Sequence, residues 1–303
     1  MAGASARADW VTRSEGYDRE LAELLESETH VDMEKLLAQA QQSGVPDRLR
    51  GEAWKYMLGI SRPERAEEMS LRKRMEHEYK ENEAAWRARQ DSELARIVKA
   101  EVMPYRKALG QSQSATRAES ILCCYLHAQG MEELRPGTVR LLVPFLQIYS
   151  ADVEAYACFQ ELMKRLEWVL TFEGRKQMTV AFTTLLRHAL PELYSFLEEE
   201  QCNDGEWLSS WLQFLLAKAL PLPCLLRLWD SYFAYYAAHG REATLQLHIY
   251  VCLAILERCN EELMELDEGE VLWYLQHLPT LDIGQVVTNA LNIKDDVAIA
   301  GYV

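Results

Sequence analysis

Cys123, Cys124 and His127 fall within about one helical turn, a spacing that would suit a thiol site or part of a metal site. A closed zinc site needs four ligands, and none of the seven cysteines forms a Cys-x-x-Cys pair that would complete one. Core cysteine beside a polar residue is the simpler assignment. The acidic clusters Glu198-Glu199-Glu200 and Glu261 to Glu270 are not carboxylates held across a pocket, and they read as solvated helix ends. Arg227 and Asp230 stand i, i+3 with Trp229 beside them, which allows an ion pair under an aromatic cover. No Walker-type glycine loop occurs, so the chain itself is not expected to bind nucleotide.

The elements that must carry these groups are written in helical period. Phe159, Leu162, Met163, Leu166 and Leu170 make one apolar stripe, Leu212, Leu215, Leu216 and Ala219 a second, and Leu247, Val251, Ala254 and Ile255 a third. Strand alternation, internal repeats and low-complexity linkers are absent, so the expected fold class is all-α. Three regions break the pattern. Residues 1–28 read as a partly ordered tail with one helix from about Arg19 to Glu28; residues 62–92 as a charged, solvated helix around Trp86; and residues 100–118 as an extended loop.

At 303 residues, 49% hydrophobic and 26% charged, the composition is that of a globular chain with a substantial core. A net charge of −15 argues against nucleic acid and against adhesion to anionic membrane, since both require a basic surface. Seven scattered cysteines suit a reduced, cytoplasmic chain. Met1 to Ala8 lack the apolar stretch of a signal peptide, and no apolar run approaches a membrane span. Direct membrane insertion is therefore not expected, and a partner or a further segment would have to bring the chain to a membrane.

Gly44-Val45-Pro46-Asp47-Arg48-Leu49-Arg50-Gly51-Glu52-Ala53-Trp54-Lys55-Tyr56-Met57-Leu58-Gly59 reads as a turn feeding a helix. Gly44 ends one helix, Pro46 prevents its continuation and Asp47 is the expected N-cap of the next. Arg50, Trp54 and Leu58 stack on one face, and Gly59 closes the helix. This block resembles the opening signature of the TBC family, the domain that switches off Rab GTPases. Arg227-Leu228-Trp229-Asp230 looks like that family's R-x-W-D motif, Ala155-Tyr156-Ala157-Cys158-Phe159 resembles its A-F-x-x-F segment, and Leu190-Pro191-Glu192-Leu193-Tyr194 its L-P-x-L-Y. The similarity runs from about Val31 to Ala290. It implies a single elongated multi-helix domain over residues 31–303, preceded by a tail over residues 1–30. It gives Gly44, Pro46, Trp54, Gly59, Trp229 and Asp230 structural roles, and Arg50 and Arg227 scaffold roles with Rab contact as the alternative.

The resemblance fails where the family keeps its catalytic groups. The family's arginine lies in I-x-x-D-x-x-R; counted from Ile97, the arginine position is Met103, and a slip of one residue makes it Pro104. Its glutamine lies in Y-x-Q-G. Gln129-Gly130 copies two letters but comes too soon after the preceding helix. Alignment on the helix Val139 to Leu146 puts Leu134-Arg135-Pro136-Gly137 at the motif, with Pro136 in the glutamine position. Arg106 and Gln129 are then the candidates for displaced fingers, and Arg135 for a binding residue. The resemblance implies a cytoplasmic Rab GTPase-activating domain of membrane trafficking with degenerate fingers. The alternatives are a non-catalytic Rab-binding adaptor and a helical scaffold. It implies no metal or cofactor of its own; GTP and Mg2+ would belong to the Rab partner.

Overall fold

Most helices begin where a small polar side chain or a proline precedes an apolar period. Asp32 accepts from Lys35 N, Thr171 from Gly174 N, and Asp267 with Glu270 forms a reciprocal capping box. Proline occupies the first turn of the helices that follow Leu190 and Pro221. The computed structural model describes residues 16–89, 92–106, 112–131, 133–202 and 205–299. Their order is α1 (residues 16–25), α2 (Met33–Ser43), α3 (Asp47–Met57), α4 (Glu68–Arg89), α5 (Ser92–Val102) and a 3-10 turn Met103–Tyr105. It continues through α6 (Ser112–Ala128), α7 (Thr138–Ile148), α8 (Asp152–Leu166), α9 (Phe172–Ala189) and α10 (Pro191–Glu199). Last come α11 (Glu206–Gln213), α12 (Leu222–Leu263), α13 (Glu268–Gln276) and α14 (Ile283–Ile299). A second 3-10 turn, Arg65–Glu67, leads into α4, and no β-strand occurs among the described residues. The fold is all-α, as the helical period requires.

One apolar core runs from Leu21 in α1 to Val297 in α14. Helix α12 is its axis, packing on α2, α3, α9, α11 and α14, and its helical path breaks at Gly240. Trp54, Phe145, Trp229 and Phe233 interlock at its centre, with Trp54 and Phe233 edge to face at 4.8 Å. The third apolar stripe, Leu247 to Ile255, is fully buried in α12.

Several local expectations are corrected. Pro46, not Asp47, is the N-cap of α3: its carbonyl receives Leu49 N and Arg50 N, which leaves the Asp47 carboxylate free to pair with Arg50. The extended loop over 100–118 is much shorter, because α5 reaches Val102 and α6 starts at Ser112, where Ala115 and Ala118 are buried. The polar Ser112 to Ser114 thus open a helix, where hydroxyl residues are well tolerated; residues 107–111 lie outside the described ones. Pro136, a residue type that suits a first helical position, instead sits in a turn ahead of α7, with Gly137 between it and the helix. The second apolar stripe is not one helix: α11 stops at Gln213, and Leu215 (φ 47°) and Leu216 (φ 64°) are left-handed. Such leucines cost of order 1–2 kcal/mol each, and burial of both side chains together with the Trp229 Nε1 bond to Leu215 O holds them there. Helix α1, assigned to the tail, places Leu21 and Leu25 in the common core. Residues 1–15 lie outside the described ones.

His248, fully buried, donates from Nε2 to Trp211 O at 3.0 Å and accepts the Tyr232 hydroxyl on Nδ1 at 2.7 Å. The carbonyl can only accept, which sets the tautomer. Burial pulls the imidazole down to about 4, against the weaker pull of the carbonyl. The folded state therefore resists a proton that the unfolded chain takes up near its ordinary 6.5. Stability is complete above that value and falls with pH until about 4, by roughly 3 kcal/mol in all. Urea unfolding of wild type and His248→Gln at pH 7 and pH 4.5 is expected to show a smaller pH loss in the variant; equal losses would refute it.

Candidate functional site

The two sequence blocks meet at one buried carboxylate. Asp230, with no exposed surface, accepts Arg50 Nε at 3.0 Å, Val45 N at 2.9 Å and Trp54 Nε1 at 2.7 Å. Arg50 also donates to Val45 O at 2.5 Å and pairs with Asp47. Burial works against the Arg50 charge, but the Asp230 and Asp47 carboxylates together outweigh it and hold the guanidinium above its ordinary value. Burial raises the Asp230 carboxyl, while Arg50, the Val45 amide and the Trp54 indole pull it back. The ion pair read from the i, i+3 spacing is thus corrected: Asp230 bonds to Arg50, not to Arg227. Arg227 turns the other way, to Ser231 Oγ at 2.6 Å and to Gln41 O and Gln42 O at 3.2 and 3.3 Å, tying down the end of α2. Gly44 (φ 81°) lies under it, where a Cβ would stand 2.4 Å from Arg227 Cδ. Both arginines are engaged within the fold.

This anchor fixes α3 against α12, and α7 packs on α3. At the start of α7, Gly137 (φ 92°) gives the chain the left-handed conformation that turns Leu134-Arg135-Pro136 into the helix. Three of the sequence-predicted groups gather beside it. Gln129, Arg135 and Pro136 are exposed and line one cavity of about 570 Å³ with Glu133, Thr138 and Arg175. Arg135 donates to Leu170 O, and burial with the Arg175 charge lowers its guanidinium from the ordinary value. Met103 and Pro104 are exposed on the 3-10 turn, and Arg106 caps that turn through its amide to Met103 O. Arg106 does not line the cavity with Gln129 and Arg135.

Two cations near these positions escaped the sequence reading. Arg140 lies one turn into α7 with its guanidinium 4.8 Å from the centre of the Tyr105 ring, and Lys218 has its ammonium 4.6 Å from that of Phe214. Arg140 had a signal, three residues after Gly137 on the same helix. Lys218 had none, because the left-handed turn that carries it looks helical in sequence.

The sequence model of the Rab-GTPase-TBC domain matches residues 47–264 of this chain. The chain belongs to that family. It is 25% identical over 181 residues to TBC1 domain family member 22A of Homo sapiens, a match covering 57% of this chain and 33% of the relative. With the GTPase-activating protein gyp1 of Schizosaccharomyces pombe it shares 23% over 280 residues, 79% of this chain and 53% of the relative. The chain thus spans between a third and about half of these relatives. The crystal structure of the Ypt/Rab-GAP domain of Gyp1p superposes with a TM-score of 0.79 at 17% identity, over 92% of this chain and 98% of that one. That likeness is one of fold. The match contains Arg50, Trp54 and Asp230 of the buried anchor, together with Met103, Pro104, Pro136, Arg140 and Lys218. No described helix is long and apolar enough to cross a membrane, and no cluster of metal-ligating side chains occurs among the described residues.

Proposed function

We propose that this TBC domain binds a Rab-family GTPase and regulates its GTP hydrolysis, with weak stimulation because both finger positions have lost their side chains. The observation that carries this reading is the TBC match over residues 47–264; the register counted from Ile97 and from the helix Val139 to Leu146 supports reading Met103-Pro104 and Pro136 as the finger positions. Hydrolysis needs positive charge over the phosphoryl oxygens and a placed water. An arginine finger contributes ~10³–10⁵ in rate, about 4–7 kcal/mol of barrier. Methionine and proline supply none of it. GTP and Mg2+ belong to the Rab, and recruitment to a trafficking membrane falls to that partner.

A panel of purified Rabs assayed for binding and for single-turnover hydrolysis tests the reading. The expected outcome is saturable binding of at least one Rab with stimulation far below 10³-fold, diminished by Arg106→Ala or Gln129→Ala. Strong stimulation that survives both changes together would place the catalytic groups elsewhere. Binding with no stimulation would make the domain a Rab-holding adaptor. No binding across the panel would leave a helical scaffold.

A further inference from the structure

The residues that follow both proposed finger positions lie against a pair of cations. Tyr105, which follows Met103-Pro104, has the Arg140 guanidinium over its ring. Gly137, which follows Pro136, is covered by Lys218: a Cβ on Gly137 would lie 2.6 Å from Lys218 Cε and 2.9 Å from Nζ. Arg140 Nη1 reaches Lys218 O at 3.5 Å, so the two side chains leave neighbouring points of the fold. The cationic pair therefore spans the gap between the two places from which the family's fingers project.

Neither cation is neutralised. Among the described residues neither forms an ion pair, and the buried Arg140 Nε has no hydrogen-bond partner. Burial lowers the Lys218 ammonium from the ordinary value and the Arg140 charge adds to it, against the pull of Glu206 and, more weakly, Glu101, neither of which forms an ion pair with it. Both cations also border a cavity of about 150 Å³ shared with Glu206, Ser210 and His277. The two cations repel each other, and an anion from outside would offset that repulsion. The strained Leu215-Leu216 turn is what brings Lys218 to this point, as backbone strain often does at functional sites.

We propose that Arg140 and Lys218 together supply the positive charge that meets the phosphoryl group of the bound GTPase, in place of the absent arginine finger. This rests on the Rab-binding reading above. In the reaction the water oxygen bonds to the γ-phosphorus and the bond to the β–γ bridging oxygen breaks. Its electron pair leaves with GDP, and the water's proton ends on the released phosphate. Arg140 and Lys218 form no bond and move no proton; they offset charge on the transferring oxygens.

The test uses a Rab that the unaltered chain binds, loaded in turn with GDP and with GDP plus aluminium fluoride, which mimics the phosphoryl group in transfer. The wild type is expected to prefer the fluoride-loaded form. Lys218→Met and Arg140→Met are each expected to cut that preference about 10-fold while leaving affinity for the GDP form unchanged, and Lys218→Arg to keep it. Thermal melts of each variant separate this from loss of fold, and Lys218→Met, at a partly exposed side chain, is the decisive one. An equal loss of affinity in both nucleotide states would make the cations partner-surface contacts and overturn the proposal, as would an unchanged preference. Failure of the unaltered chain to bind any Rab would overturn the Rab-binding reading, and this proposal with it.

Discussion

Asp230→Ala is expected to destabilise the domain by roughly 3–5 kcal/mol, the loss typical of removing one partner from a buried ion pair. The carboxylate has no exposed surface and accepts from Arg50, the Val45 amide and the Trp54 indole. Its removal strands a buried guanidinium with only Asp47 and Val45 O as partners, and leaves two buried N–H groups unpaired. The damage also falls between distant parts of the chain, since this is the bond that ties the α3 block to α12. Asp230→Asn keeps an acceptor oxygen and is expected to cost less. Equilibrium urea unfolding measures both. Because the pair acts as a unit, Arg50→Met with Asp230→Leu should cost less than the two single changes added together. A loss under about 1 kcal/mol for Asp230→Ala would show that the anchor does not hold the fold.

Met103→Arg combined with Pro136→Gln is expected to raise single-turnover hydrolysis by a bound Rab at least 10-fold, and by up to the ~10³–10⁵ of a working arginine finger. Both positions are exposed, so the new side chains displace no core. Gly137 keeps the turn before α7, and the 3-10 turn keeps its Arg106–Met103 backbone bond. Pro104→Arg with Pro136→Gln tests the register shifted by one residue. If both double variants bind a Rab and leave its rate unchanged, the loops do not follow the family's path, and charge must reach the nucleotide from somewhere else on this face.

Helical period made the fold class legible. The α8 stripe and the α12 stripe from Leu247 to Ile255 are buried as their spacing required, because an apolar face recurring every 3.6 residues has nowhere to go but a core. The block from Gly44 to Gly59 was equally readable, since Gly44, Pro46 and the Arg50-Trp54-Leu58 face act through backbone geometry and neighbours one turn away. The same local logic misread Leu215-Leu216. Nothing in two leucines announces a left-handed turn, and only the packing around them fixes it.

Side-chain partners distant in sequence were decided by the tertiary structure alone. Spacing put Arg227 beside Asp230, whereas the fold gives Asp230 to Arg50, 180 residues away, and Arg227 to the end of α2. Charge pairing within one helix is a weak preference, easily overridden when a buried carboxylate can collect several donors from another element. The proposed finger positions rest on counting residues from neighbouring helices, which the sequence alone allows. That Arg140 and Lys218 come together over Gly137 could not be read there, because it depends on a strained turn delivering a lysine from 78 residues further along the chain onto a glycine with no side chain to block it.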